Sequence, residues 1–320
     1  MATSPPRILG LHHVTATVDA AQDDLDFAAG AIGLRLVKKT VNFDNHHVYH
    51  FYYGDRVGTP GTLWTTFPYK GHGVPIGQHG AGQIVATAFS VPAGSLDFWR
   101  DRLRECRLRV QDGPSRFDEE AIQVVDPSGL VIELIATPSD ARTPWTGYVD
   151  AEVAVRGLHS VTLNIPQPDD TIEFMTTVLG FSVAKEMTNR TRLTVNGSEP
   201  GKAMEIVHGK QTVHGMNGLG TVHHVAMAIA TPEEQLRIRA ELLELGVKVT
   251  PVRDRQYFQS IYFREPGGVL FEIATLRPGF PVDEPVDQLG QALKLPPWEE
   301  PNRREIESGL ASIEVPASRA

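Results

Sequence analysis

Two nearly identical octapeptides, LHHVTATV from Leu11 and VHHVAMAI from Val222, lie in opposite halves of this 320-residue chain. A repeat at that separation constrains the fold more than any single motif. Repeated units do not bury an apolar face alone, and they pack on one another. Each octapeptide opens a longer unit, and four such units can be traced, each ordered strand, helix, three strands. The first continues from HHVTATV through AAQDDLDFAAGAIGL to RLVKKTVNF, HVYHFYYGD and TLWTTFP. Leu25, Phe27, Ala28 and Ile32 approximate one helical face, and the later runs have the β-branched and aromatic content of strands. The second starts at QIVATAFSV, has SLDFWRDRLREC as helix with Ser95 as the expected N-cap, and ends at DPSGLVIELIATP. The third runs from LHSVTLNIP through DTIEFMTTVLGF to KAMEIVHG. The fourth runs from HHVAMAIATP through PEEQLRIRAELLELG to PGGVLFEIATL. Gly33, Gly180 and Gly246 recur where a left-handed helix terminator is expected.

The expected fold class is α+β. Four βαβββ modules pair into two half-barrel, cup-shaped sheets, followed by a C-terminal tail. The expected organisation is an N-terminal half over 9–138, a linker over 139–156, a C-terminal half over 157–277, and a tail over 278–320 on the surface. Ligand sites in such cups are lined by residues at equivalent places in each module.

Composition excludes several classes. The net charge of −9 opposes a nucleic-acid surface. No apolar run approaches the roughly 20 residues of a membrane span, and MATSPPRILG lacks the features of a secretion signal. A cytoplasmic protein with no nucleic-acid or membrane partner is expected, as a homo-oligomer. The single cysteine, Cys106, rules out an internal disulfide and a thiolate cluster. It is expected to be a small packing residue, so any metal here uses His, Asp or Glu.

Strand alternation selects which residues can converge. His13 and Thr15 share one face, His12 and Val14 the other; His224 and His223 divide in the same way. Either His13 with His224 or His12 with His223 therefore enters the cup. Aligned on alternation, the other modules have Gln83-Ile84 and His159-Ser160 at the pair, so the second position loses histidine in both. The closing strands carry Glu133, Glu205 and Glu272 in modules two, three and four, whereas module one has Thr65. Only modules one and four combine two histidines with a glutamate. Two histidines and one carboxylate with open positions is the facial arrangement of non-haem Fe(II) oxygenases. Glu133 and Glu205 are expected to be structural. His46, His47, His50, His72, His79, His208 and His214 are expected at the surface or in loops.

The segments HHVTATV, LVKKTVNFD, VYHFYYGD, GTPGTLWTTFP and PGGVLFEIAT resemble the vicinal oxygen chelate superfamily (glyoxalase/bleomycin resistance/dioxygenase). Within it they are similar to ring-cleaving dioxygenases related to 2,6-dichlorohydroquinone 1,2-dioxygenase, over about Leu9 to Leu276. The resemblance implies Fe(II), or Mn(II) or another divalent metal, on His13, His224 and Glu272. It implies catalytic roles for His12, His223, Arg255 and Tyr262, and a substrate-binding role for Thr15. A five-residue loop at Glu265–Val269 would pair Tyr262 with Glu272 on one face; a four-residue loop would turn it away. His12 and His223 need a bulge or the cup's rim to reach a substrate. Among the aromatic strand positions Phe51, Tyr52, Trp64 and Phe258, most are expected to be core.

The expected function is Fe(II)-dependent ring cleavage, inserting O2 into a hydroquinone or catechol-like aromatic substrate. The rival readings are a glyoxalase-type lyase or isomerase, which would want a fourth ligand, and a metal-free small-molecule binding or sequestering protein.

Overall fold

The computed structural model describes residues 7–114, 116–209 and 213–318. Residues 1–6, part of the segment read above for a secretion signal, lie outside them. The first module comprises β1 (Ile8–Val18), α1 (Ala21–Leu25), β2 (Arg35–Asn42), β3 (Asn45–Gly54) and β4 (Leu63–Pro68). The second comprises β5 (Gln83–Pro92), α2 (Leu96–Glu105), β6 (Val110–Asp112), β7 (Ala121–Val125) and β8 (Val131–Thr137). The third has β9 (Gly157–Asn164), α3 (Asp169–Thr177), β10 (Ser182–Met187), β11 (Arg190–Thr194) and β12 (Ala203–Val207). The fourth has β13 (Thr221–Ile229), α4 (Pro232–Glu244), β14 (Arg253–Asp254), β15 (Gln259–Arg264) and β16 (Leu270–Thr275). Each follows the expected order of strand, helix and three strands. Among the described residues no helix is long and apolar enough to cross a membrane.

The helix starts and stops show where local sequence decides. Thr231 caps α4, its hydroxyl accepting from the Glu234 amide at 3.2 Å, with Pro232 in the first turn. Gly33 and Gly246 terminate their helices at φ +83° and +80°, a region that suits residues without a Cβ. Ser95 does not cap as expected; its hydroxyl donates to the Pro92 carbonyl at 2.7 Å instead. The helix of module one widens after Leu25 into a π-helical turn over Asp26–Ala31. Phe27, Ala28, Ala29 and Ala31 are all buried there, more than one α-helical stripe would present. Cys106 is exposed at the C-terminus of α2, and not packed as expected.

The strands form two eight-stranded curled sheets. The order in one is β14-β15-β16-β13-β1-β4-β3-β2, and in the other β10-β11-β12-β9-β5-β8-β7-β6. Module four thus joins module one, and module three joins module two. The opening strands of each pair run antiparallel side by side, and each opening strand lies parallel to its module's closing strand. One apolar cluster spans both sheets, from Val14 and Trp64 to Phe89, Leu134 and Leu163. Because strand side chains alternate, the face opposite this core is the concave one, carrying His13, Thr15 and His224.

The tail does more than coat the surface. Phe280 and Leu289 are buried with Val37, Tyr52, Tyr257 and Phe258 inside the first cup. The buried Lys38 ammonium pairs with Asp283 at 2.5 Å and with Glu284. Leu295 and Ile306, the latter on α5 (Arg303–Gly309), cover Val41. An apolar and charge-paired segment of this kind fills one end of the half-barrel that four strands per module leave open.

Candidate metal centre

The pairing of β1 with β13 sets His13 opposite Ala226 and Thr15 opposite His224, a local two-fold between the two repeats. In module four Ala226 pairs with Glu272 of the closing strand, and in module one Thr15 pairs with Thr65. Glu272 and Thr65 are therefore equivalent, as the repeat predicted. Gln83-Ile84 is not the equivalent pair in module two. Glu133 pairs with Ala88, which puts Ala86 at the place of His13.

His13, His224 and Glu272 are buried, and their ligand-type atoms lie within 4.8 Å of one another. Glu272 Oε2 stands 2.8 Å from His224 Nε2 and 3.3 Å from His13 Nε2. The two Nε2 atoms are 3.3 Å apart. Oε2 has no partner in hydrogen-bonding geometry, while Oε1 accepts from the Ser260 hydroxyl. Burial works to raise the Glu272 pKa, but His13 and His224 outweigh it and hold the carboxyl well below its ordinary value. His224 is pushed down chiefly by burial. A buried carboxylate and two imidazole nitrogens aimed at one point, with one net negative charge, form a donor set for a divalent cation.

The far ring edges are held in matched fashion. His13 Nδ1 lies 2.9 Å from His12 Nδ1, and His224 Nδ1 lies 2.7 Å from His223 Nδ1. Burial and the neighbouring histidine lower the pKa of both His12 and His223 to about 3, so both rings are neutral. With the Nε2 lone pairs of His13 and His224 free for a cation, the Nδ1–H groups must donate outward, and His12 and His223 accept. That assignment leaves both outer rings with Nε2–H donors. His12 is anchored to the Thr275 backbone and packs on Phe258 with ring centroids 4.9 Å apart. It does not line the cavity, whereas His223 does. A register shift between Leu11 and His13 accompanies the inward placing of His12.

A cavity of about 210 Å³ opens over the cluster, lined by Thr15, His50, Tyr52, Phe67, Phe258 and Tyr262 among others. The hairpin loop spans Glu265–Val269, so Tyr262 pairs with Glu272 across β15 and β16. Arg255 Nε donates to the Tyr262 hydroxyl at 3.0 Å, and Arg255 Nη2 donates to Asp44 at 3.0 Å. Burial and the nearby Glu272 charge raise the Tyr262 pKa, keeping the phenol protonated. Of the aromatic strand positions, Tyr52 and Phe258 reach the cavity, while Phe51 and Trp64 belong to the core. His50 is not a surface residue. It lines the cavity with Nε2 3.1 Å from Thr65 Oγ1. Its signal was present in the sequence: His50, Tyr52 and the Tyr52 partner Thr65 share one strand face. Asn42, Phe43, Asp44 and Tyr69 also line it; they come from turns and strand ends, where alternation gives no guidance.

The second cup is a built-in control. Glu133 and Glu205 occupy the places equivalent to Thr65 and Glu272, but Ala86 and Ser160 replace the histidines. There Arg116, fully buried, lies 2.7 Å from Glu133 and 3.2 Å from Glu205. Arg190 and Arg192 also bind Glu205. Guanidinium groups neutralise these carboxylates, as a buried charge requires.

Comparison with known proteins places this arrangement. The model of the Glyoxalase/Bleomycin resistance protein/Dioxygenase superfamily matches residues 157–273. A Bacillus subtilis (strain 168) protein, MhqO, provisionally named a ring-cleaving dioxygenase, is 40% identical over 97% of this chain and 98% of its own. The chlorohydroquinone/hydroquinone 1,2-dioxygenase of Sphingobium indicum is 35% identical over 93% of this chain and 94% of its own. A crystal structure of a provisionally named B. subtilis dioxygenase matches with TM-score 0.92 and 39% identity, covering 98% of this chain and 99% of that one. Maize glyoxalase I shares the fold, at TM-score 0.61 and 16% identity over 84% of this chain and 92% of its own. The chain belongs to the vicinal oxygen chelate superfamily, in the company of full-length relatives named ring-cleaving dioxygenases.

Proposed function

We propose that the protein is a ring-cleaving dioxygenase that inserts O2 into a hydroquinone or catechol-like ring, with iron(II) held by His13, His224 and Glu272. The observation that carries this reading is the Glu272 carboxylate. It is fully buried, one oxygen lacks a hydrogen-bond donor, and that oxygen faces two ring nitrogens. Among the described residues no arginine or lysine pairs with Glu272 as Arg116 pairs with the carboxylates of the second cup. The full-length relatives named ring-cleaving dioxygenases supply the reaction class.

When bound, iron supplies Lewis acidity toward a phenolic oxygen and one-electron chemistry toward O2. The remaining work falls to the chain. Thr65, at the place of a fourth ligand, turns its hydroxyl to Thr15 at 2.8 Å and to His50. Three protein donors leave room for ligands, which favours this reading over a four-ligand isomerase. His12 and His223 fix the tautomers of His13 and His224. The His223 Nε2–H, facing the cavity, donates a hydrogen bond to the reacting oxygen and can return a proton to it. Because Arg255 already donates to the Tyr262 oxygen, the Tyr262 proton is free to point at the substrate. Arg255 also offsets anionic charge that develops beside it. Phe258, Phe67 and Tyr52 wall the ring and exclude water.

The test is metal analysis of anaerobically prepared protein with O2 uptake on adding hydroquinone. Stoichiometric iron and uptake are expected in the wild type. His13→Ala and Glu272→Ala are expected to lose bound iron and turnover together, each at least a hundredfold in turnover, since catalysis needs the cation. Full iron loading in both variants, or zinc with hemithioacetal turnover, would reject the reading.

A further inference from the structure

His50 has no role in the chemistry above, yet it is a constrained polar side chain on the wall of the cavity. It sits on β3, reached from the His13 strand by crossing β4. Its ring is fixed on three sides. Tyr52 lies at 4.0 Å and Phe67 at 4.3 Å between ring centroids, and Nε2 bonds Thr65 Oγ1 at 3.1 Å. Thr65 in turn bonds Thr15. Burial and the neighbouring His13 push its pKa well below the ordinary histidine value, so the ring is neutral. The other nitrogen, Nδ1, has no partner among the described residues.

The Thr15–Thr65–His50 chain can be polarised in either direction. If Thr65 donates to Nε2, then Nδ1 carries a proton and donates. If Nε2 donates to Thr65, then Nδ1 accepts. A hydroxyl group satisfies both states, because it is donor and acceptor at once. A polar atom left without a partner in a walled cavity is costly, and a ligand that satisfies it is favoured over one that does not.

We propose that His50 Nδ1 receives the second oxygen of the ring substrate, the one not held at the His13–His224–Glu272 cluster, and so sets specificity. A 1,2-diol keeps both oxygens on adjacent carbons, on the same side of the ring. A 1,4-diol sends its second oxygen away from the cluster, to be met by a side chain that lines the cavity, and His50 is one. His50 therefore selects 1,4-diols over monophenols of the same length. This inference rests on the functional reading above.

The experiment uses the full-length, iron-loaded protein without O2, with hydroquinone and 4-methylphenol as probes; the methyl group keeps the shape and removes the second hydroxyl. Binding is read by calorimetry, and O2 uptake is then measured with hydroquinone. The wild type is expected to bind hydroquinone about tenfold more tightly than 4-methylphenol, the contribution of one hydrogen bond in a closed site. His50→Phe keeps the packing on Tyr52 and Phe67 and should retain iron. It should bind both probes equally, through loss of hydroquinone affinity alone, with KM raised about tenfold. His50→Asn places an amide atom near the Nδ1 position and should recover part of the preference, whereas His50→Gln should not. Undiminished preference in His50→Phe, or equal loss of affinity for both probes, would overturn the proposal and leave the dioxygenase reading standing. Iron-loaded wild type that binds neither probe would overturn both.

Discussion

At the scale of the residue, the paired histidines divide one task between two neighbours. One ring offers Nε2 toward the cluster, and the next ring accepts from its Nδ1, as ligand histidines require of their surroundings. The expectation from a regular strand was that His12 and His223 face away from the cup. Register shifts at His12 and, on the partner strand, at His223 break that alternation, and the 2.9 Å and 2.7 Å Nδ1 contacts join each to its neighbour. His12→Phe retains the packing on Phe258 and removes the acceptor. It is expected to weaken iron binding 10- to 100-fold, measured by competition with a chelator of known affinity. His50 shows the complementary case, a residue readable from alternation yet overlooked because module one is rich in histidine.

Elements are tied to one another by a few buried polar or aromatic anchors. Asp24 joins α1 to β3 and β4, accepting from Tyr53 at 2.7 Å and from Thr66 at 2.5 Å. Burial raises its pKa to about 7 against the pull of those two hydrogen bonds. In the unfolded chain this carboxyl ionises near pH 4. Between those values the folded state keeps a proton that the unfolded state has lost, so stability falls as pH rises through that window. Asp24→Asn should flatten that slope and gain on the order of 3 kcal/mol above pH 7, read from urea midpoints across pH. The tail is anchored by Phe280, 1% exposed against Tyr52 and Tyr257. Phe280→Ala should cost about 3–5 kcal/mol in the same measurement. The aromatic content of the tail was visible in the sequence, but its destination inside the first cup was not.

Over the whole molecule, one fold appears as two cups with opposite solutions to a buried carboxylate. In the first, Glu272 faces two histidine nitrogens; the second surrounds Glu133 and Glu205 with arginines. Glu133→Ala is therefore expected to leave the iron content unchanged. Removing one partner of a buried ion pair should still cost about 3 kcal/mol of stability, since Arg116 loses its 2.7 Å partner and keeps Glu205 at 3.2 Å and Glu119 at 3.9 Å. Loss of iron in this variant, measured per chain, would refute the assignment of metal to the first cup alone.

The sequence by itself determined the four modules, the alternation that groups His13 with Thr15 and offers either His13 with His224 or His12 with His223, and the equivalence of Thr65 with Glu133, Glu205 and Glu272. These follow from backbone periodicity and repetition, which are local properties. Only the tertiary structure decided the rest: which ring nitrogens face one another, that His50 lines the cavity, that Phe280 is buried in the first cup, and that Arg116 lies between Glu133 and Glu205 in the second. Those outcomes depend on register between distant strands and on loops without periodicity, where a shift of one residue changes which side chains meet.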